Sequence, residues 1–259
     1  MLEVHRIDVD IASVSILRNA ALDLQAGQMV GLIGRNGAGK TTFLRAIMGL
    51  ASIRSGQVTF DHADITKAPP QRRALLGIGY MPEDRRLVPS MTAEDNITVP
   101  AWSVGIPDQE DRLAWIYDVM PETKVFRHRP ASSLSGGQQK LVALARALMA
   151  GNRLLLLDEP SEGVAPALAR RMSEILHTLK DDGLGILIAE SNVRHCADLM
   201  DRMFAIERGA VESRPFGREK RGVVPGATPG AIPDANPDAG ASPAGVPARA
   251  SGELAGDST

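Results

Sequence analysis

Residues 34–41, GRNGAGKT, fit the spacing G-x-x-x-x-G-K-[ST]. A loop of this kind wraps a phosphate with inward N–H groups, and the helix after it adds the partial positive charge of its N-terminus. Lys40 would reach the β- and γ-phosphates of a nucleoside triphosphate, and the Thr41 hydroxyl would serve Mg2+. A glycine-rich turn that merely fits the pattern is the competing reading. The flanks argue against it. MVGLI (29–33) is a buried-strand run, and TFLRAIMGL (42–50) carries helical apolar spacing at Phe43, Leu44, Ile47 and Met48. Gly34, Arg35, Asn36, Gly37, Ala38, Gly39, Lys40, Thr41 and Thr42 are therefore candidate phosphate-binding residues.

RLLLLDEP (153–160) brings a second set. An apolar strand would deliver Asp158 and Glu159 to its C-terminal end, where ligands bind in open α/β sheets. Asp158 would hold the magnesium, and Glu159 would orient or deprotonate an attacking water. A helix N-cap is the alternative for an isolated Asp-Glu pair. LSGGQQK (134–140) sets Ser135, Gly136, Gly137 and Gln138 at the start of a helix, a second anion site or simply a capped helix start. A second phosphate receptor in a chain that already has one makes sense if it serves a nucleotide held by another subunit. GILIAESN (185–192) ends a buried strand on Glu190, Ser191 and Asn192. Three polar residues at a strand end read either as part of a site or as a plain loop, with Ser191 capping the strand end.

The elements that must position these residues alternate. Strands are expected over 29–33, 56–60, 153–157 and 186–189. Helices are expected over 42–50, with Gly49 as its stop, and over 138–150 and 167–180; the stretch 83–150 is mostly helical. In the 138–150 helix Leu141, Leu144, Ala145 and Leu148 share a face. In the 167–180 helix Leu168, Met172, Ile175, Leu176 and Leu179 do. This alternation predicts an α/β domain with a mainly parallel core. At 259 residues and a net charge of −2, the chain has no basic field that would favour nucleic acid. No apolar run approaches the roughly 18–20 residues that span a bilayer, and the acidic N-terminus is unlike a signal peptide. The lone Cys196 fits a reducing compartment. From about Arg214 onward proline, glycine, alanine and serine dominate, which predicts a disordered tail over 214–259.

GRNGAGKTT, LSGGQQK and LLLLDEP, in that order, resemble the ATP-binding subunit of an ABC transporter over about Leu2–Gly209. The resemblance implies a P-loop NTPase core with a mainly parallel sheet, an antiparallel β subdomain and a helical subdomain near 84–150, together filling residues 1–213. It also implies ATP and Mg2+, and a head-to-tail dimer that sandwiches ATP between one subunit's phosphate loop and the other's LSGGQ. GIGYMPEDRRLVPSMTAEDNI (77–97), EPSEGVAPAL (159–168) and ESNVRHCADLMDRMFAIERG (190–209) are most similar to the F-type ATPase subunits (LivF) of branched-chain amino acid importers. The partners implied are a G-type ATPase subunit or a second copy of this chain, two transmembrane permease subunits and, indirectly, a periplasmic or lipid-anchored binding protein, with no nucleic acid. The implied location is the cytoplasmic face of a bacterial membrane.

The sequence departs from that family's pattern in several places. Ser191 stands where most members have a histidine at the γ-phosphate; being shorter and uncharged, it would support hydrolysis weakly. Glu83 replaces a glutamine that contacts magnesium and the membrane partner; it would serve magnesium or be a surface acid. Ile11 replaces an aromatic residue over adenine. Base stacking is worth ~1–3 kcal/mol, so ATP affinity should be lower. Glu162 brings a charge into a loop that crosses the dimer interface in the family, and the tail replaces an expected C-terminal helix. These departures predict two unequal composite sites. The slower uses this chain's Lys40, Thr41, Asp158, Glu159 and Ser191; the faster uses its Ser135, Gly136 and Gly137 against the partner's catalytic set. The rival readings are an importer ATPase for urea or short amides, a weakly hydrolysing regulatory subunit, and a soluble ATPase acting on nucleic acid.

Overall fold

The computed structural model describes residues 1–192 and 200–214. The expected tail, Arg214 apart, and Cys196 lie outside the described residues. Two sheets organise the rest. One is antiparallel, in the order β2-β1-β4-β5, built from β1 (Leu2–Ile11), β2 (Val14–Leu24), β4 (Ser55–Phe60) and β5 (Ala63–Asp64). The other has six strands in the order β10-β9-β3-β8-β7-β6: β3 (Met29–Ile33), β6 (Ile78–Met81), β7 (Leu154–Asp158), β8 (Gly185–Glu190), β9 (Arg202–Glu207) and β10 (Ala210–Arg214). All its pairings are parallel except β10 on β9.

The central strands are covered on both faces, so their sequences are continuously apolar rather than alternating. In β7, Leu154 and Leu156 join the core shared with the antiparallel sheet, while Leu155 and Leu157 join the core under the helices. β8 divides the same way, Leu187 and Ala189 against Ile186 and Ile188. Each such leucine or isoleucine buried from water contributes about 1.5–3 kcal/mol.

Helix α1 (Lys40–Met48) follows β3 and ends on Gly49, whose φ of +77° suits a residue without Cβ. The fully buried Arg73 of α2 (Pro70–Leu75) secures that end. Its guanidinium donates to the carbonyls of Ala46 and Ile47 in α1, and of Thr66 and Ala68 beyond it. The helical stretch begins at Ala93, not Glu83: the loop after β6 intervenes before α3 (Ala93–Val104), α4 (Gln109–Val119), α5 (Pro121–Val125) and α6 (Gly136–Ala150). Helix α6 is buried nearly all round, because Val142, Ala143, Ala147 and Met149 are enclosed as well as the expected Leu141, Leu144, Ala145 and Leu148. Helix α7 (Pro166–Asp181) buries Met172, Ile175, Leu176 and Leu179 as the spacing predicts. Among the described residues no helix is long and apolar enough to cross a membrane.

Candidate functional site

The site lies at the C-terminal ends of β3, β8 and β7, which are adjacent and parallel. Ile33 pairs with Glu190, and Asp158 with Ala189, so three chain segments distant in sequence finish at one edge. The Gly34 N–H carries the ladder one step further, onto the Glu190 carbonyl at 3.2 Å. A Cβ on Gly34 would lie 2.4 Å from the Ile206 carbonyl oxygen, so only glycine lets the loop leave the strand here. Gly39 caps α1 at φ +113°, with no side-chain cap and no acidic residue in the first turn. The orphan N–H groups of that turn are left for a ligand, and an anion suits them.

Lys40 folds back over this loop. Its Nζ donates to the carbonyls of Gly34 at 2.7 Å and Arg35 at 3.3 Å and pairs with Glu159 Oε1 at 2.9 Å. Both charges of this pair are almost fully buried. Removing either would strand the other, which is the costly way to break a buried pair. An entering phosphate would compete with Glu159 for the ammonium.

Glu159 takes a left-handed backbone, φ 47°, uncommon for a residue with a side chain. Its N–H donates to the Ala189 carbonyl at 2.9 Å. Its Oε2 accepts from the Ser191 N–H at 3.1 Å and the Ser191 hydroxyl at 3.2 Å. The buried Glu190 lies beside it, accepting from the Ser161 N–H at 3.0 Å. Burial, and after it the neighbouring Glu159 carboxyl, pushes Glu190 up to about 8. Burial works against ionisation of Glu159 too. There, however, Lys40, Glu190 and the Ser191 N–H outweigh it and hold the carboxyl below its usual range. The two environments therefore favour ionisation of Glu159 and protonation of Glu190.

Asp158 is fully buried. It accepts from the Thr41 hydroxyl at 3.2 Å and the Tyr80 hydroxyl at 3.3 Å. Burial raises it to about 6, and the nearby negative charge of Glu83 adds to the shift. Glu83, itself exposed, lines the same cavity as the phosphate loop. Among the described residues no cluster of three or more His, Cys, Asp or Glu side chains could hold a metal unaided. Mg2+ is usually bound by one or two carboxylates with waters and substrate phosphates. Thr41, Asp158 and Glu83 are hard oxygen donors of the right kind, and a cation would relieve the crowding of charge at Asp158.

A cavity of about 360 Å3 brings together Asn36, Gly37, Gly39, Lys40, Thr41, Thr42, Glu83 and Glu159. Ile11 is not among its walls: it sits 46% exposed at the end of β1, and Ile16 of β2 lines the cavity instead. The β1–β2 turn at Ala12 and Ser13 separates Ile11 from Ile16, and β2 returns beside the loop. Ser135, Gly136, Gly137 and Gln138 do not line it either. Ser135 caps α6: its hydroxyl accepts from the Gln138 N–H, and its own N–H donates to the Gln138 side chain. A Cβ on Gly137 would lie 2.7 Å from the end of the Leu168 side chain of α7, which would have to shift. The roles of Tyr80, Glu190 and Ile16 escape sequence reasoning, for each depends on a neighbouring strand.

Residues 17–162, more than half the chain, match the family described as ABC transporter. A probable branched-chain amino acid transport ATP-binding protein, LivF, from Archaeoglobus fulgidus is 33% identical over 82% of this chain and 90% of its own length. The lipopolysaccharide export system ATP-binding protein LptB of Escherichia coli is 33% identical over 75% of this chain and 81% of its own. Among solved structures, an ATP-binding cassette of an ABC transporter in its ADP conformation superposes with a TM-score of 0.73 at 26% identity, covering 82% of this chain and 89% of that one. The chain belongs to the ABC transporter family and is an ATP-binding, ATP-hydrolysing subunit of a transporter.

Proposed function

We propose that this chain powers an importer for branched-chain or related amino acids, binding ATP with Mg2+ and working as one half of a head-to-tail dimer beneath separate membrane subunits. The observation that carries the catalytic part is the 2.9 Å contact between Lys40 and Glu159 across the uncapped start of α1. It puts a cation, free N–H groups and a carboxylate base on one cavity. The first-turn amides of α1 and Lys40 would bind the β- and γ-phosphates, with Thr42 and Asn36 along the wall. Thr41, Asp158 and Glu83 would hold Mg2+, which when bound neutralises phosphate charge. Released from Lys40 by the incoming phosphate, Glu159 would take a proton from the attacking water as its oxygen joins the γ-phosphorus and the bond to ADP breaks. Ser191 keeps the Glu159 carboxylate turned toward the cavity. Ile16 would cover the base or ribose with apolar surface. Ser135, Gly136, Gly137 and Gln138, absent from this chain's own cavity, would face the nucleotide of the partner ATPase subunit.

On this reading residues 1–213, with Arg214 completing β10, would form the nucleotide-binding domain, and the helices after β6 its helical subdomain. The groove for a permease helix would be the cavity of about 410 Å3 lined by Leu75, Ile106, Pro107 and Trp115, where apolar side chains meet the surface. The amino acid cargo is supported by the likeness to the archaeal protein. The equal identity to LptB fits other cargo as well, and urea or short amides are the second reading. Deleting the gene and measuring uptake of labelled leucine, urea and acetamide tests this: loss of leucine uptake alone supports the reading, and intact leucine uptake overturns it.

A further inference from the structure

Lys140 is almost fully buried in the second turn of α6, and its ammonium meets three backbone carbonyls. It donates to Glu159 at 2.8 Å, to Pro160 at 3.0 Å and to Glu162. Burying an ammonium is unfavourable unless its protons are all engaged, and three charge-assisted bonds engage all of them. The three acceptors span the bend after β7, where Glu159 is left-handed. Glu159 is thus gripped on both sides, its N–H by Ala189 of β8 and its carbonyl by Lys140 of α6. The same helix holds the loop that bears Glu83, since Arg146 donates to the carbonyls of Arg85 and Arg86, and Arg85 reaches back to Gly136 and Gln139.

We infer that Lys140 is a positioning residue: it locks the backbone of Glu159 and the loop through Glu162 to the helix that begins at Ser135, so that the N-terminus of α6 and the Glu159 carboxylate move as one body. Resting on the proposed function, this means that a partner's nucleotide seated on Ser135–Gly137 sets the aim of the carboxylate in this chain's own site. Lys140 would act on the chemical step and leave ATP binding alone, because none of its contacts is to the phosphate loop.

The test is Lys140→Met in the full chain, with hydrogen exchange read without nucleotide, then ATP affinity and turnover. Amides 161–165 should exchange at least about tenfold faster while those of α1 keep wild-type protection; kcat should fall about ten- to a hundredfold, as misplacing a catalytic group does, with the ATP Kd unchanged within about twofold. Wild-type protection of the loop, or wild-type kcat, overturns the inference. So does a loss of protection spread over the whole fold, which marks a merely structural lysine. Should the Met variant not fold, Lys140→Gln, which keeps one donor end, must give an intermediate kcat at unchanged ATP affinity; full kcat in that variant is equally contrary. Failure of the wild-type chain to bind ATP would instead overturn the reading of the site, while the exchange data still decide the clamp.

Discussion

Ser191 holds Glu159 twice, through its N–H at 3.1 Å and its hydroxyl at 3.2 Å, both on Oε2, while Lys40 takes Oε1 at 2.9 Å. The serine at the strand end therefore serves the carboxylate next to it. Removing the hydroxyl leaves the N–H bond in place, and one such bond is worth about 0.5–1.5 kcal/mol. Ser191→Ala is accordingly expected to lower kcat about two- to tenfold with unchanged ATP affinity, measured by steady-state turnover and equilibrium nucleotide binding. An unaltered kcat would mean the hydroxyl does not aim the base.

Because its hydroxyl is engaged by Glu159, and because it is short and uncharged, Ser191 offers the γ-phosphate no cationic donor. In a mixture with a G-type partner subunit, the composite site built on Lys40 and Glu159 should be the slower one. Glu159→Gln should cost the mixture at most about twofold in turnover, and the corresponding substitution in the partner much more. Equal losses from the two substitutions would contradict the asymmetry.

The phosphate loop, Asp158, Glu159 and the start of α6 were legible as residue types at fixed spacing, since each lies within one strand–loop–helix unit. Contacts between units were not. Ser191 meets Glu159, and Glu190 crowds it, only because β8 pairs with β7 in the register Asp158–Ala189. That Ile16 and not Ile11 lines the cavity has a local cause. β1 and β2 run with three register shifts, and His5 and Arg6 break the apolar alternation of β1 between Val4 and Ile7, so the strand end cannot be counted along the sequence. Lys140 reads as one more polar residue in a helix until its carbonyl acceptors are placed.

Glu190 makes stability depend on pH. Its folded value of about 8 lies above its ordinary value of 4.5, so its contribution is full below 4.5 and is lost as pH rises through 8. Glu190→Gln, which keeps a neutral side chain able to donate to Glu159, removes that loss. The melting temperature of the variant relative to wild type should climb between pH 6 and about 9, by the equivalent of roughly 2–3 kcal/mol, at about 2–4 °C per kcal/mol for a domain of this size. A difference that stays flat with pH would show that Glu190 is ionised throughout.

Arg73 anchors the end of α1 through four carbonyls and no carboxylate. Arg73→Met keeps much of the volume and orphans those acceptors, at about 1–3 kcal/mol for each group left without another partner. The expected result is a loss of about 2–4 kcal/mol in denaturant unfolding, with weaker ATP binding because α1 carries Lys40 and Thr41. Wild-type stability would place the arginine's role elsewhere.

The most direct test of the account is ATP hydrolysis by the purified chain with Mg2+, wild type beside Glu159→Gln, with ATP binding measured on both. The account requires slow but measurable turnover by the wild type. It also requires a variant that binds ATP as tightly or more tightly, with turnover reduced at least about a hundredfold, the usual scale for losing a general base. A variant that hydrolyses ATP at the wild-type rate would show that the carboxylate held by Lys40 and Ser191 is not the base.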